Sequence, residues 1–366
     1  MATVDDPLLR ALREPASMLG LDTGTWNDLI WCARRHGLLA RLAIAAEERG
    51  ILDQVPAKVR ELFADACAAA EFNQTVRGFE VRELLRALVG VPVPVVLLKG
   101  GAYLLAGLPA ARGRMFADID ILVPRDRLAD VEAAALAHGW EPVITEAYDQ
   151  HYYRTWTHQI PPLRHAERGS ELDIHHTIAP LTSRAAPDVS ALLSDAQALD
   201  GGRLKVLAPA DMVLHSAVHL FNEQMDMGLR DLMDLHVLLG FFGRNAAFWR
   251  DLVAHARRHR LERPLFYCLR YAERFYGTPV PATAKTEVGG FGPNRAVRAL
   301  MDWLVTEAIL PIWPGKRRPG AGLARWLLYV RSHWLRMPPT LLARHLLIKA
   351  VARARHSLAS QPVPQP

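Results

Sequence analysis

Only three cysteines occur in 366 residues, Cys32, Cys67 and Cys268, far apart and with no Cys-x-x-Cys pair. That pattern supports neither a disulfide framework nor a structural zinc knuckle, and it leads one to expect a reducing, cytoplasmic environment. No apolar run is continuous enough to cross a bilayer. The longest, residues 88–111, is interrupted by Pro92, Pro94, Lys99 and the Gly100-Gly101 pair, so a strand, a turn and a helix explain it better. The opening MATVDDPLLRALREPAS places Asp5 and Asp6 before any basic residue and has no apolar core followed by small residues, so it does not read as a signal peptide. Half the residues are hydrophobic and 22% are charged, which excludes a wholly disordered, collagenous or multi-span membrane chain. The length suits two or three domains.

Acidic residues are missing from the last sixth of the chain. After Glu307 there are ten basic residues and no acidic one, whereas the rest holds 34 basic against 38 acidic residues, a net of −4. An acidic partner is therefore to be sought at the C-terminus: RNA, a polyphosphorylated compound or an anionic membrane surface met peripherally. In the same region Leu323, Trp326, Leu327, Val330, Trp334 and Leu335 repeat near a helical stripe. The spacing predicts that this stripe packs on the helical domain and leaves the arginines solvated.

Hydrophobic periodicity divides the chain in three. Residues 1–90 repeat apolar side chains at three- and four-residue spacing and read as an N-terminal helical region with no catalytic motif. Residues 91–200 change character: VPVPVVLL, DIDILV and SELDIHHTI read as strands, AYLLAGL and LADVEAAALAHG as helices, and HYYRTWTHQIPP as a further strand. Residues 201–366 are helical again and end in the basic tail. The expected fold is α+β, with a small mixed sheet embedded between helical regions.

The sharpest local signal is Asp118-Ile119-Asp120-Ile121-Leu122-Val123. Alternation along a strand puts both carboxylates on one face and the aliphatic residues in the core. Two adjacent carboxylates repel unless a cation lies between them, and magnesium, which prefers oxygen ligands and is commonly shared with phosphates, is the economical candidate. The alternative is a solvated strand face. Upstream, Gly100-Gly101 lies between a strand and a helix start, where backbone N–H groups can approach a phosphate. Downstream, period two aligns Glu171, Asp173, His175 and Thr177, so that Asp173 can supply a third carboxylate. A two-carboxylate glycosidase would leave the Gly-Gly turn without a purpose. His215 and His219 have the spacing of a zinc helix but lack the glutamate and third ligand that such a site needs.

Several segments occur in a telling order: Leu98-Lys99-Gly100-Gly101, the run Arg114 to Val123, His158-Gln159-Ile160-Pro161-Pro162-Leu163, Leu172-Asp173-Ile174-His175, and Arg230-Asp231-Leu232-Met233-Asp234-Leu235-His236. Over residues 85–245 the chain resembles the bacterial "uncharacterised nucleotidyltransferase" family of the polymerase-β-like nucleotidyltransferase superfamily. The superfamily's usual Gly-Ser is Gly-Gly here, so a serine contact to phosphate is missing. The resemblance implies a nucleotidyltransferase core in which Asp118 and Asp120 bind two Mg²⁺ ions, with Mn²⁺ as a possible substitute. Asp173 would complete the metal site and orient or deprotonate an acceptor. Gly100 and Gly101 would hold the triphosphate of ATP or another nucleoside triphosphate, with Lys99 and Arg114 neutralising its charge. His158 and His175 become candidates for substrate contact or support, and so do Arg230 and Asp234, which could equally pair with each other. The activity implied is transfer of a nucleoside monophosphate to a small molecule, a tRNA or a protein, with pyrophosphate leaving. The alternative is a catalytically inactive nucleotide- or RNA-binding protein on the same scaffold, against which the three intact aspartates argue.

Overall fold

The computed structural model describes residues 3–199, 202–223, 225, 227–345 and 348. Seven strands form one sheet: β1 Val95–Leu97, β2 Asp118–Leu122, β3 Trp140–Pro142, β4 Leu163–His165, β5 Glu171–His175, β6 Gln197–Ala198 and β7 Leu204–Val206. Their spatial order is β3-β4-β5-β2-β1-β7-β6. The sheet is mixed, since β2 runs parallel to β5 and β1 parallel to β7 while the other neighbours are antiparallel. The three central strands are the ones legible in the sequence. Val95, Val96 and Leu97 of β1, Ile119 and Ile121 of β2, and Leu172 and Ile174 of β5 are fully buried. Their β-branched and aliphatic side chains fill a sheet interior covered by helices.

Helices precede and follow the sheet as expected. The longest, Ala57–Ala87, spans 31 residues, roughly 46 Å at 1.5 Å per residue. Side-chain caps fix several starts: Asp6 accepts the N–H groups of Leu8 and Leu9 ahead of Pro7–Arg13, and Asn294 accepts that of Val297 ahead of Arg295–Ile309.

Two expectations are corrected. The segment HYYRTW is not a strand but part of the helix Ala147–Trp156. Its aromatic residues favour strands locally, but Tyr148 and Tyr152 lie one turn apart and place their rings against His345, 5.8 and 4.5 Å between centroids, so a tertiary contact overrides the propensity. The apolar stripe of the helix Pro319–Arg336 packs inward only in part. Leu323, Trp326, Val330 and Trp334 are exposed, Leu327 and Leu335 are half-buried with Leu327 against the core, and Ala321, Ala324, Leu328 and Ser332 make the buried face. Of the ten C-terminal basic residues, Lys349, Arg353 and Arg355 lie outside the described residues.

Candidate active site

Register places the acidic residues. In the parallel pair β2/β5, Asp118 lies opposite Glu171, Asp120 opposite Asp173 and Leu122 opposite His175. Strand β1 runs antiparallel on the other side of β2, and the Leu98 N–H donates to the Asp120 carbonyl at 3.0 Å. The turn that ends β1 therefore stands beside the carboxylates. Ligand atoms of Asp120, Asp173 and His175 lie within 4.8 Å of one another. Asp118 is not in that group, but it lines the adjoining cleft together with Asp120.

The charges are balanced from two sides. Lys99 Nζ is 3.3 Å from Asp120 Oδ1, and His175 Nε2 is 2.9 Å from the same oxygen. Burial would raise the Asp120 pKa, but Lys99 and His175 outweigh it and hold the carboxyl well below its ordinary value. At Asp173 the same two neighbours lower the pKa but are outweighed. Burial first, then the charges of Asp120 and Asp118, push it up to about 6. Asp118 is also raised, chiefly by the charge of Asp120 and then by burial. Burial lowers the Lys99 pKa, yet Asp120, Glu223, Asp118 and Asp173 more than compensate and keep it an ammonium. Three clustered carboxylates, two of them reluctant to ionise, form an oxygen-rich donor set that fits a divalent cation.

The turn itself is strained at an unexpected place. Lys99, the first residue of the helix Lys99–Leu105, has φ +44°, in the left-handed region that costs a side-chain-bearing residue about 1 kcal/mol or more. Gly100 is constrained by space. A Cβ there would meet Phe116 Cγ at 2.7 Å and Arg114 Nη1 at 2.9 Å, whereas one at Gly101 would meet only Leu97 Cδ2 at an ordinary 3.5 Å.

Beyond the carboxylates lies a cleft of about 260 Å³, lined among others by Gly100, Tyr103, Arg114, Ser216, Arg230 and Asp234. Arg114 is buried. Its Nε donates to Asp234 Oδ2 at 2.6 Å, its guanidinium lies 5.8 Å from the rings of both Tyr103 and Phe116, and its Nη1 has no hydrogen-bond partner. Asp234 does not pair with Arg230. Its other oxygen takes Arg41, a residue of the helix Leu39–Glu48, while Arg230 pairs with Asp231 at 2.9 Å. Arg41 also donates to the Ala110 carbonyl at 2.6 Å.

The histidines divide by environment. His158 stacks on His175, ring centroids 5.1 Å apart, and its Nε2 is 3.7 Å from Glu223. His219 Nε2 reaches the other oxygen of Glu223 at 3.4 Å. Burial lowers His158 to about 3 and depresses His215 and His219 as well, so all three are neutral at pH 7. Glu223 was not singled out in the sequence, although it follows His219 by one helical turn. Arg41 carried no local signal, because its partner is 193 residues away.

A second cluster, Asp211, His255 and His259, also has metal-ligand proximity. Hydrogen bonding fixes the tautomer of one of its rings. His259 Nδ1 accepts the Asp188 N–H at 3.2 Å, which puts the ring proton on Nε2, 3.1 Å from Asp211 Oδ1, while His255 Nδ1 stands 2.7 Å from that same oxygen. His255 alone is hydrogen-bonded to Asp211, while His259 Nε2 and Asp211 Oδ2 are buried without a hydrogen-bond partner. The pair His215 and His219 belongs to neither metal-capable group among the described residues.

A family model described as an uncharacterised nucleotidyltransferase matches residues 22–277. The match is wider than the segment 85–245 that carries the motifs, and it includes the helix that supplies Arg41. No curated protein and no solved structure matches the chain.

Proposed function

The chain belongs to the uncharacterised nucleotidyltransferase family, and we propose that it transfers a nucleoside monophosphate from a nucleoside triphosphate to an acceptor hydroxyl, phosphate or protein side chain, releasing pyrophosphate. The observation that carries this reading is the register of β2 and β5, which sets Asp120 against Asp173 with Asp118 next on the same face, beside the Lys99-Gly100-Gly101 turn.

Asp118, Asp120 and Asp173 would hold Mg²⁺, which when bound supplies Lewis-acid stabilisation of phosphoryl charge. The protein's own groups do the rest. Lys99, kept cationic by the surrounding carboxylates, offers its ammonium to the triphosphate. The Arg114 guanidinium is anchored through Nε to Asp234 on the cleft wall beside Gly100, from where its charge offsets that of a phosphate. Gly100 keeps this wall free of a side chain. Asp173, set opposite Asp120 by the register, is suited to accept a proton at its carboxylate oxygen from the attacking acceptor. His175 holds Asp120 in place through Nε2 and is itself covered by His158.

The test is incubation of the purified chain with each α-labelled nucleoside triphosphate, Mg²⁺ and a cell lysate. Pyrophosphate release with label appearing in one fraction supports the assignment and identifies the acceptor. Absence of both with every nucleotide, or equal release by Asp120→Asn, overturns it.

A further inference from the structure

Eight of the seventeen exposed large apolar side chains among the described residues fall between Val297 and Trp334, about a tenth of the chain. In the helix Pro319–Arg336 they are ordered. Leu323, Trp326, Val330 and Trp334 recur at three- and four-residue intervals and are 52, 59, 44 and 50% exposed. The opposite face, which packs on the protein, is made of Ala321, Ala324, Leu328 and Ser332, with Leu327 half-buried at its side, and holds no aromatic residue. The helix is therefore amphipathic in the sense opposite to a core helix, with the larger apolar surface facing out. Burying these four side chains inward would be the ordinary solution, and a contiguous exposed patch of this kind marks a contact surface.

Charge indicates what covers it. No acidic residue follows Glu307, and Lys316, Arg317 and Arg325 are exposed on or just before this helix. The ring of Trp334 itself carries the Arg184 guanidinium at 6.0 Å. Tryptophan and aliphatic side chains along one face with arginine and lysine beside them match the chemistry of a bilayer interface, where indole sits at headgroup depth and the cations meet lipid phosphates. The stripe runs along the outside of a helix about 27 Å long, and its aliphatic members Leu323 and Val330 have no stacking role to play with nucleic acid bases. We propose that this face docks the enzyme peripherally on an anionic membrane, laying the helix in the interfacial plane. The proposal does not depend on the nucleotidyl-transfer assignment.

The test uses the full chain in co-sedimentation with phosphatidylcholine vesicles made with and without phosphatidylglycerol, at low and moderate salt, together with tryptophan emission. The expected result is binding to the anionic vesicles, a blue-shifted emission on binding, and weakening as salt rises. Trp326→Ser with Trp334→Ser should lower the partition coefficient by roughly tenfold or more, and Lys316→Glu with Arg317→Glu should lower it on anionic vesicles. Because all four positions are exposed, the melting temperature should stay at the wild-type value. The proposal is overturned if the wild type ignores anionic vesicles or if the tryptophan pair leaves binding unchanged. It is equally overturned if the wild type is a dimer that the pair converts to monomer, or if the surface binds polyuridylate and not vesicles.

Discussion

Replacing Asp234 by Asn separates the protein's architecture from its chemistry. Asp234 is buried and takes Arg114 at 2.6 Å on one oxygen and Arg41 on the other. The two guanidiniums are buried as well, with 7 and 6% of their side-chain surfaces exposed. Asn keeps the shape and removes the only carboxylate that either arginine pairs with among the described residues. Two like charges are then left in a low-dielectric interior. Removing one partner of a buried ion pair costs about 3–5 kcal/mol, a large part of the roughly 5–15 kcal/mol that holds a typical domain folded. Arg41→Met should cost less, because Asp234 then keeps its pairing with Arg114 and the second cation is gone. Urea unfolding, read by far-ultraviolet circular dichroism, should rank wild type above Arg41→Met and Arg41→Met above Asp234→Asn. The double variant should be more stable than Asp234→Asn alone. If Asp234→Asn lies within about 1 kcal/mol of wild type, the arginines are solvated by some other means and the buried-triad argument fails.

Asp118→Asn should behave oppositely, abolishing Mg²⁺-dependent pyrophosphate release while leaving the unfolding midpoint equal to or above wild type, since it relieves the repulsion from Asp120 that raises its own pKa; a loss of stability equal to that of Asp234→Asn would contradict this. Asp173 is the pH-sensitive member: its folded pKa of about 6 lies above the ordinary value of 3.8, so the group stabilises the fold below about pH 4 and that contribution is lost as the pH rises through 6. Without divalent cations, Asp173→Asn should therefore gain stability over wild type progressively from pH 4 to 6, and a gain that is flat with pH would refute the assignment. Gly100→Ala should destabilise by about 1–3 kcal/mol through its clash with Phe116 and Arg114, whereas Gly101→Ala, in an unclashed helical position, should be neutral or stabilising by about 0.5–1 kcal/mol; equal effects at the two glycines on thermal melting would show that the local packing has been misjudged.

What could be read from the sequence was what local periodicity encodes. The β-branched runs gave β1, β2 and β5, and alternation gave the shared face of Asp118, Asp120 and Asp173. The short outer strands β3, β4, β6 and β7 escaped because two or three residues hold too little pattern, and their pairing is decided by neighbours. The positive φ at Lys99 escaped because lysine carries no propensity for it. Arg41 and the Asp234 pairing are long-range matters: charges meet across 193 residues only once the helices have packed. In the last described long helix periodicity found the stripe but not its direction, since four of its six members face outward and only Leu327 and Leu335 turn partly in.

The helices before the sheet are part of the site. Asn73, on the helix Ala57–Ala87, exchanges two hydrogen bonds of 3.1 Å with the backbone of Phe116. Its neighbour Gln74 donates to the carbonyls of Ala111 at 2.6 Å and Arg114 at 3.2 Å. Arg41 holds the carbonyl of Ala110 and, through Asp234, the side chain of Arg114. The irregular segment between Pro109 and Asp118 thus takes its shape from two helices at the start of the chain and one near its middle, and it delivers Arg114 and Phe116 to the wall that leaves no room for a side chain at Gly100. An irregular backbone offers few repeating hydrogen bonds of its own, so it stays in one conformation only where side chains of other elements satisfy its carbonyls. A sheet bearing three aspartates, cut from these helices, would keep its carboxylates and lose the cationic wall opposite them. The family match beginning at residue 22 covers the same physical unit, in which the strands bearing the three aspartates lean on the helices that precede them.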